Sequence, residues 1–469
     1  MSDRAFDDLV PTVPADNVID TRFPVALTLL VVLSAMRFLY AVSVSPATWQ
    51  GTTYMELVYD QQTSRAASSS QLSVRDDTLK RKWGPVFIAV MSGLERLPID
   101  RPSLGLLLRV SLTLIYLATA LLLARLFFDV AWPWSSMETL ARTALLLVLC
   151  FQSSAAIYAI ANGMGEIVTA FSVVGHFYLF SKRRFAAAAW LVMFGVYFKL
   201  YPVVFAFPYL LFSMLSSRHR RYCLHLFTSG LVIALLSVPV AGWRFGFFYP
   251  MSIVGSVVTD TDVVPILSKE VFGPVSLVAR AASAFRVRAV DARALAIART
   301  LSPMFSVLLV LTTALAATVL WRMERRWDKD RLSRTVALLL FQGTIGFLMF
   351  AFSMDMSITL LLPMMISLFA PLWLWMEPLG GTRRPGTGAT AILFALGSIA
   401  IGNLIPLSWL FRILPLAWLD RIAGNAPGEL IDLEKYIWYD IPLVGVVLLA
   451  LAFCRCIPTI PRADRESAA

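Results

Sequence analysis

Residues 158–212 read YAIANGMGEIVTAFSVVGHFYLFSKRRFAAAAWLVMFGVYFKLYPVVFAFPYLLF. Three polar breaks part its apolar runs: ANGMGE (161–166), SKRR (181–184) and FKLYP (198–202). The runs are continuous and helix-length; the dyad alternation of barrel strands is absent. The stretch therefore predicts apolar helices in hairpin succession. Its polar breaks either cap and link those helices or line a site.

The pattern extends along the chain. The 469 residues are 58% apolar, with a mean hydropathy of +0.72, against roughly 45–50% apolar in soluble domains. Counting apolar runs against a hydrocarbon core about 30 Å thick predicts an all-α polytopic membrane protein with about twelve spans. They fall near 24–45, 103–127, 139–159, 164–181, 185–199, 203–216, 222–241, 301–321, 335–353, 357–376, 388–410 and 441–455. Residues 1–23 read as a disordered cytoplasmic tail, 24–456 as one membrane domain and 457–469 as a second cytoplasmic tail. The first run lacks the basic start and cleavage site of a signal peptide and reads as a retained anchor.

The formal charge of +11 reads as the loop bias of a membrane protein, with no nucleic-acid partner. SKRR, SSRHRR (216–221), RMERRWDKDRLSR (322–334) and TRR (382–384) all land on one face when twelve spans alternate, as do both termini. ANGMGE and SMDMS (353–357), on the other face, carry no Lys or Arg. The basic face is expected to be cytoplasmic. The opposite face also takes the long loops, about 46–102, 242–300 and 411–440. PVFIAVMSGLERL (85–97) is apolar but too short to span and reads as a re-entrant or interfacial helix. Residues 275–300, with Arg280, Arg286, Arg288, Arg293 and Arg299, read as a basic amphipathic helix on the membrane surface. The four cysteines and three histidines are scattered. They predict no disulfide framework, no metal and no cofactor.

The unusual polar residues collect on the less basic face: Glu56, Asp60, Asn162, Glu166, Lys199, Tyr201 and Asp355. Ionisable groups at membrane depth are costly and point to function. Plainer readings stand beside that one. ANGMGE has turn residues, and Glu166 suits the first turn of a helix. Lys199 could snorkel to headgroups. Glu56 and Asp60, four apart, could share the wet face of a juxtamembrane helix. Lys80–Lys82 could simply be solvated, and Asp260 and Asp262 are a weak metal pair.

Taken together, the set contains a carboxylate to serve as general base, cations to hold a phosphate and apolar grooves for a lipid tail. The 158–212 stretch resembles the central signature of bacterial polyprenol-phosphate-mannose-dependent mannosyltransferases, which have the C-type (GT-C) glycosyltransferase fold. That family carries an Asn-Gly-Gln element, an apolar hairpin with a basic turn, and a Lys-x-x-Pro element. Asn162-Gly163 and Lys199-Leu200-Tyr201-Pro202 match, while Met164 stands where Gln is usual. In the first loop Gly51, Glu56, Tyr59 and KWGPVF (82–87) match more loosely, with Glu56 in the place of the family's catalytic Asp. MDMSITLLLPMMISLF (354–369) is similar to the family's Ser-rich entry to a Leu-Leu-Pro helix.

The resemblance implies a GT-C-like hexosyltransferase, active on the extracytoplasmic face of a bacterial inner membrane. Its partners would be a polyprenyl-phosphate sugar donor, a glycolipid or glycan acceptor and the lipid bilayer. Glu56 or Asp60 would be the base. Lys199, with Arg280, Lys82 or Arg244, would hold the phosphate, and Asn162, Glu166 and Tyr201 would shape the sugar pocket, near Asp355. A lipid-linked sugar transporter would use similar parts, but usually shows two related halves, and no repeat is visible. An O-antigen ligase or polymerase would use a large loop such as 242–300.

Overall fold

The structure is a computed structural model that describes residues 22–44, 53, 55–56, 59–60, 83–128, 144, 147–148, 150–151, 154–199 and 202–249, with scattered positions beyond. Its helices are α1 (Arg22–Val44), α2 (Pro85–Glu95), α3 (Arg101–Phe128), α4 (Ser154–Ala161), α5 (Glu166–Ser181), α6 (Phe185–Phe198), α7 (Pro202–Leu215), α8 (Arg220–Ala241) and α9 (Trp243–Phe248). Apart from one two-residue strand pair, every regular element among the described residues is helical. That pair joins β1 (Val271–Phe272) to β2 (Met354–Asp355), antiparallel, with Val271 opposite Asp355. The tails, the 275–300 helix and most of the expected spans after 300 lie outside the described residues.

Among the described residues of the first half, the expected span ends match the helix ends to within a few residues, and the start of the span expected from 139 lies outside them. α5 and α6 form the central hairpin. α3 packs on α5; α8 packs on α6 and α7, and α2 packs on α6 and α8. The hairpin closes tightly because small residues face it. A Cβ on Gly195 would meet the Ser172 hydroxyl, and one on Gly175 would run into the Leu191 side chain. Close backbone approach through small residues is how helices associate where lipid removes the hydrophobic drive between them.

α8 displays the same logic along one helix. Tyr222, Leu226, Ser229, Ile233 and Ser237, spaced three or four apart, are buried. Leu224, Phe227, Leu231, Leu235 and Leu236 are exposed. Large apolar side chains line the outer face, while Ser229, Gly230, Ala234 and Ser237 join larger residues inside, which departs from the polar outer face of a soluble helix. Arg101–Leu123 and Arg220–Ala241 are long and apolar enough to cross a membrane. α5, with 16 residues, and α6 and α7, with 14 each, are shorter than a full crossing. At 1.5 Å per residue, α5 rises about 24 Å against a core of about 30 Å.

Two turns close this region with the same backbone device. At the end of α4, the Gly163 amide donates to the Ile160 carbonyl at 2.9 Å, and the Met164 amide to the Ala159 carbonyl at 2.8 Å. Gly163 has φ +63°. This is a Schellman stop with glycine in the left-handed position. At the end of α5, Arg183 donates to Phe180 and Arg184 to Leu179, both at 2.9 Å. There Arg183, not glycine, takes φ +57°.

Candidate functional site

ANGMGE is a helix-capping turn, so the plain reading of its Asn-Gly pair holds. The turn also places Glu166 at the first position of α5, where the helix N-terminus favours an anion. Glu166 is 1% exposed, and its Oε1 lies 2.5 Å from Nζ of Lys199, whose side chain is 20% exposed. Lys199 is the C-cap of α6, in extended backbone. Both residues therefore stand at helix ends, at the end of the hairpin away from Lys182–Arg184. The ammonium also sits 4.7 Å from the centre of the Trp83 ring. Trp83 is buried and packs against Phe87 and Phe198. Lys199 is thus held by a carboxylate and an aromatic face, not extended freely to headgroups.

The first loop is pinned to this end of the hairpin at two places. The Gly84 amide donates to the Phe198 carbonyl at 2.8 Å, and the Met55 amide donates to the Gly163 carbonyl at 3.2 Å. Glycines allow the approach. A Cβ on Gly84 would overlap the Tyr197 carbonyl, one on Gly163 would lie 2.5 Å from Cβ of Thr53, and one on Gly165 would lie 2.7 Å from Trp83.

Glu56 is buried, at 5% exposure. Its Oε2 accepts from the Thr53 amide at 2.6 Å and the Thr53 hydroxyl at 2.7 Å, while the Glu56 amide donates to Thr53 Oγ1 at 3.3 Å. Thr53-x-x-Glu56 is a capping box. The carboxylate's other oxygen, Oε1, has no hydrogen-bond partner. A buried acceptor left open in this way calls for an explanation.

Asp60 is placed differently. It is 42% exposed and lies 3.4 Å from Arg101 in a surface ion pair. The structure therefore brings Glu56, the ANGMGE turn, Glu166 and Lys199 to one end of the bundle, with Asp60 at its wetter edge. Asn162 is half-buried in the turn, and Met164 is buried beside it. The backbone of Arg244 lies in α9, and that of Asp355 pairs with Val271. Lys82, Tyr201 and Arg280 lie outside the described residues.

Three residues at this end escaped the sequence reading. Thr53 was legible as the first member of a Thr-x-x-Glu box. Trp83 carried no signal beyond its aromatic ring. Arg109 is a charge deep inside the apolar run of α3, two turns from its start, and such a charge is a sign of function. It is half-buried, its Nε donates to the Ala161 carbonyl at 3.1 Å, and its charge interacts with that of Glu56. Among the described residues no group of three or more His, Cys, Asp or Glu could hold a metal ion.

No curated protein matches the chain. Residues 160–249, from the end of α4 through α9, match the family model described as Mannosyltransferase (PIG-M). The matched segment contains Asn162, Glu166 and Lys199, and with the apolar helices it supports a membrane mannosyltransferase.

Proposed function

We propose that the protein transfers mannose from a polyprenyl-phosphate donor to a hydroxyl of a glycolipid or glycan acceptor, with inversion, on the extracytoplasmic face of a bacterial inner membrane. The observation that carries this reading is the buried Glu166–Lys199 pair inside the matched segment. Such a pair is costly in an apolar bundle and stands where a lipid phosphate would arrive. With the basic turn of α5 at the cytoplasmic headgroups, α5 ends about 6 Å short of the far surface of a core about 30 Å thick. A lipid donor reaches that depth laterally, and both termini lie on the cytoplasmic side.

Glu56 is the base in preference to Asp60, because Oε1 of Glu56 is buried and open while Asp60 faces Arg101 at the surface. Glu56 takes the proton of the acceptor hydroxyl. The freed oxygen lone pair attacks the anomeric carbon from the face opposite the phosphate. The bond between that carbon and the phosphate oxygen breaks, and its electron pair leaves with the polyprenyl phosphate. An ammonium has three donors; Lys199 spends one on Glu166 and turns its exposed side to the departing phosphate. Lys82, Arg244 and Arg280 are further candidates for that phosphate. Asn162, Glu166 and Tyr201 shape the sugar pocket, with Asp355 at its border. The phosphate is a competent leaving group once paired with cations, so the step as written calls on no metal.

The test is transfer by the reconstituted full chain, with labelled mannose presented on polyprenyl phosphate or on a nucleotide. Product from the lipid donor, lost in Glu56→Gln while the protein stays folded, is the expected result. Product from the nucleotide donor alone would overturn the donor assignment. Full activity in Glu56→Gln would remove the base, and donor moved across the bilayer without product would point to a transporter.

A further inference from the structure

We infer that Arg109 is a positioning residue for the reaction proposed above, holding the Glu56 carboxylate and the ANGMGE turn in one fixed relation. The inference rests on that proposal, because it concerns the setting of the proposed base. Arg109 stands eight residues into α3, among Leu106, Leu107, Leu108 and Val110. A guanidinium inside such a run is retained only where partners compensate its burial.

Its partners come from two other segments. Nε donates to the carbonyl of Ala161, the last residue of α4. That carbonyl belongs to the negative end of the α4 dipole, where a cation is favourable. The guanidinium also interacts with the charge of Glu56 in the first loop. The same two segments already touch through the Met55 amide and the Gly163 carbonyl, and through Gly163 against Thr53. Arg109 thus joins the loop carrying Glu56 to the turn that opens α5 at Glu166. A planar guanidinium donates to the Ala161 carbonyl in a fixed direction while its charge acts on Glu56 through space, and a lysine ammonium cannot reproduce that arrangement.

A purely local role, capping α4 and nothing more, makes a different forecast. It affects stability and leaves the rate per folded molecule alone. The experiment compares wild type, Arg109→Lys, Arg109→Met, Glu56→Gln and the Arg109→Met/Glu56→Gln double variant, as full chains in detergent or liposomes. Transfer from polyprenyl-phosphate mannose is measured per folded molecule, together with melting temperature. Arg109→Met is expected to lose about 100-fold in kcat, the scale of a misplaced catalytic group, with a much smaller change in donor KM. Added guanidinium should restore part of the rate, and Arg109→Lys should fall between wild type and Arg109→Met. The drop in melting temperature from Arg109→Met should shrink when Glu56 is already Gln, because the two sites are coupled.

An Arg109→Met protein that melts lower but turns over normally would overturn the inference, as would strictly additive melting shifts. If Glu56→Gln is inactive while Arg109→Met is unaffected, only the inference falls. Full activity in Glu56→Gln removes the base first, and the positioning role with it.

Discussion

Lys199→Met should damage the fold far more than Glu166→Gln, although each removes one half of the same ion pair. The asymmetry follows from burial. Glu166 is 1% exposed and Lys199 is 20% exposed. Lys199→Met leaves a carboxylate sealed in an apolar bundle, and breaking a buried pair from one side costs about 3–5 kcal/mol. The N-terminus of α5 returns about 0.3–1 kcal/mol of that, for a net loss near 3 kcal/mol. Glu166→Gln is nearly isosteric, so Lys199 keeps a neutral acceptor, the face of Trp83 at 4.7 Å and some water. The loss is then about 1 kcal/mol, the difference between a charge-assisted and a neutral hydrogen bond. The Glu166→Gln/Lys199→Met double variant removes the stranded charge and should be more stable than Lys199→Met alone. Melting temperatures of the detergent-solubilised full chain, in the order wild type, Glu166→Gln, double variant, Lys199→Met, would bear this out. Equal losses in the two single variants, or a double variant worse than Lys199→Met, would refute a buried pair of this geometry.

Two further predictions concern the turns and helix ends. Gly163→Ala should destabilise by about 1–3 kcal/mol, since the new Cβ meets Thr53 and takes a left-handed backbone. Arg183→Gly, at the matching position of the other turn, should stabilise by about 1 kcal/mol; melting curves of both variants check the contrast. Asp100 precedes α3, and the Ser103 hydrogen bond, opposed by slight desolvation and aided by backbone donors, holds its carboxyl below the ordinary value. A depressed carboxyl contributes stability above its unfolded-state value, and that contribution is lost as pH falls through the depressed one. Asp100→Ala should therefore melt below wild type at neutral pH, and the two should converge in an acid titration.

The legible and illegible parts of this site separate by sequence distance. Asn162-Gly163 announces its turn locally, because a left-handed position needs glycine, and the Schellman bonds run only between residues 159 and 164. The helix ends at 181, 185 and 198 follow from where apolar runs meet charged residues. The placement of Glu166 and Lys199 at the same end follows from counting two helices with one turn between. Their pairing does not, because snorkelling and pairing demand the same residue at the same place, and only a neighbour 33 positions away decides between them. Arg109 shows the opposite failure. Hydropathy averaged over α3 absorbs one charge among leucines, so a rule built to find spans hides the residue most costly to place within one. Arg183 shows a third. No local preference calls for arginine at φ +57°, where the matching turn has glycine. A membrane site is therefore read best by asking, for each charge inside an apolar run, which carbonyl or carboxylate from another helix could compensate it. At Arg109 that question leads to the Ala161 carbonyl, to which it donates, and to the charge of Glu56, so the charge hidden in α3 is compensated from two other segments of this end.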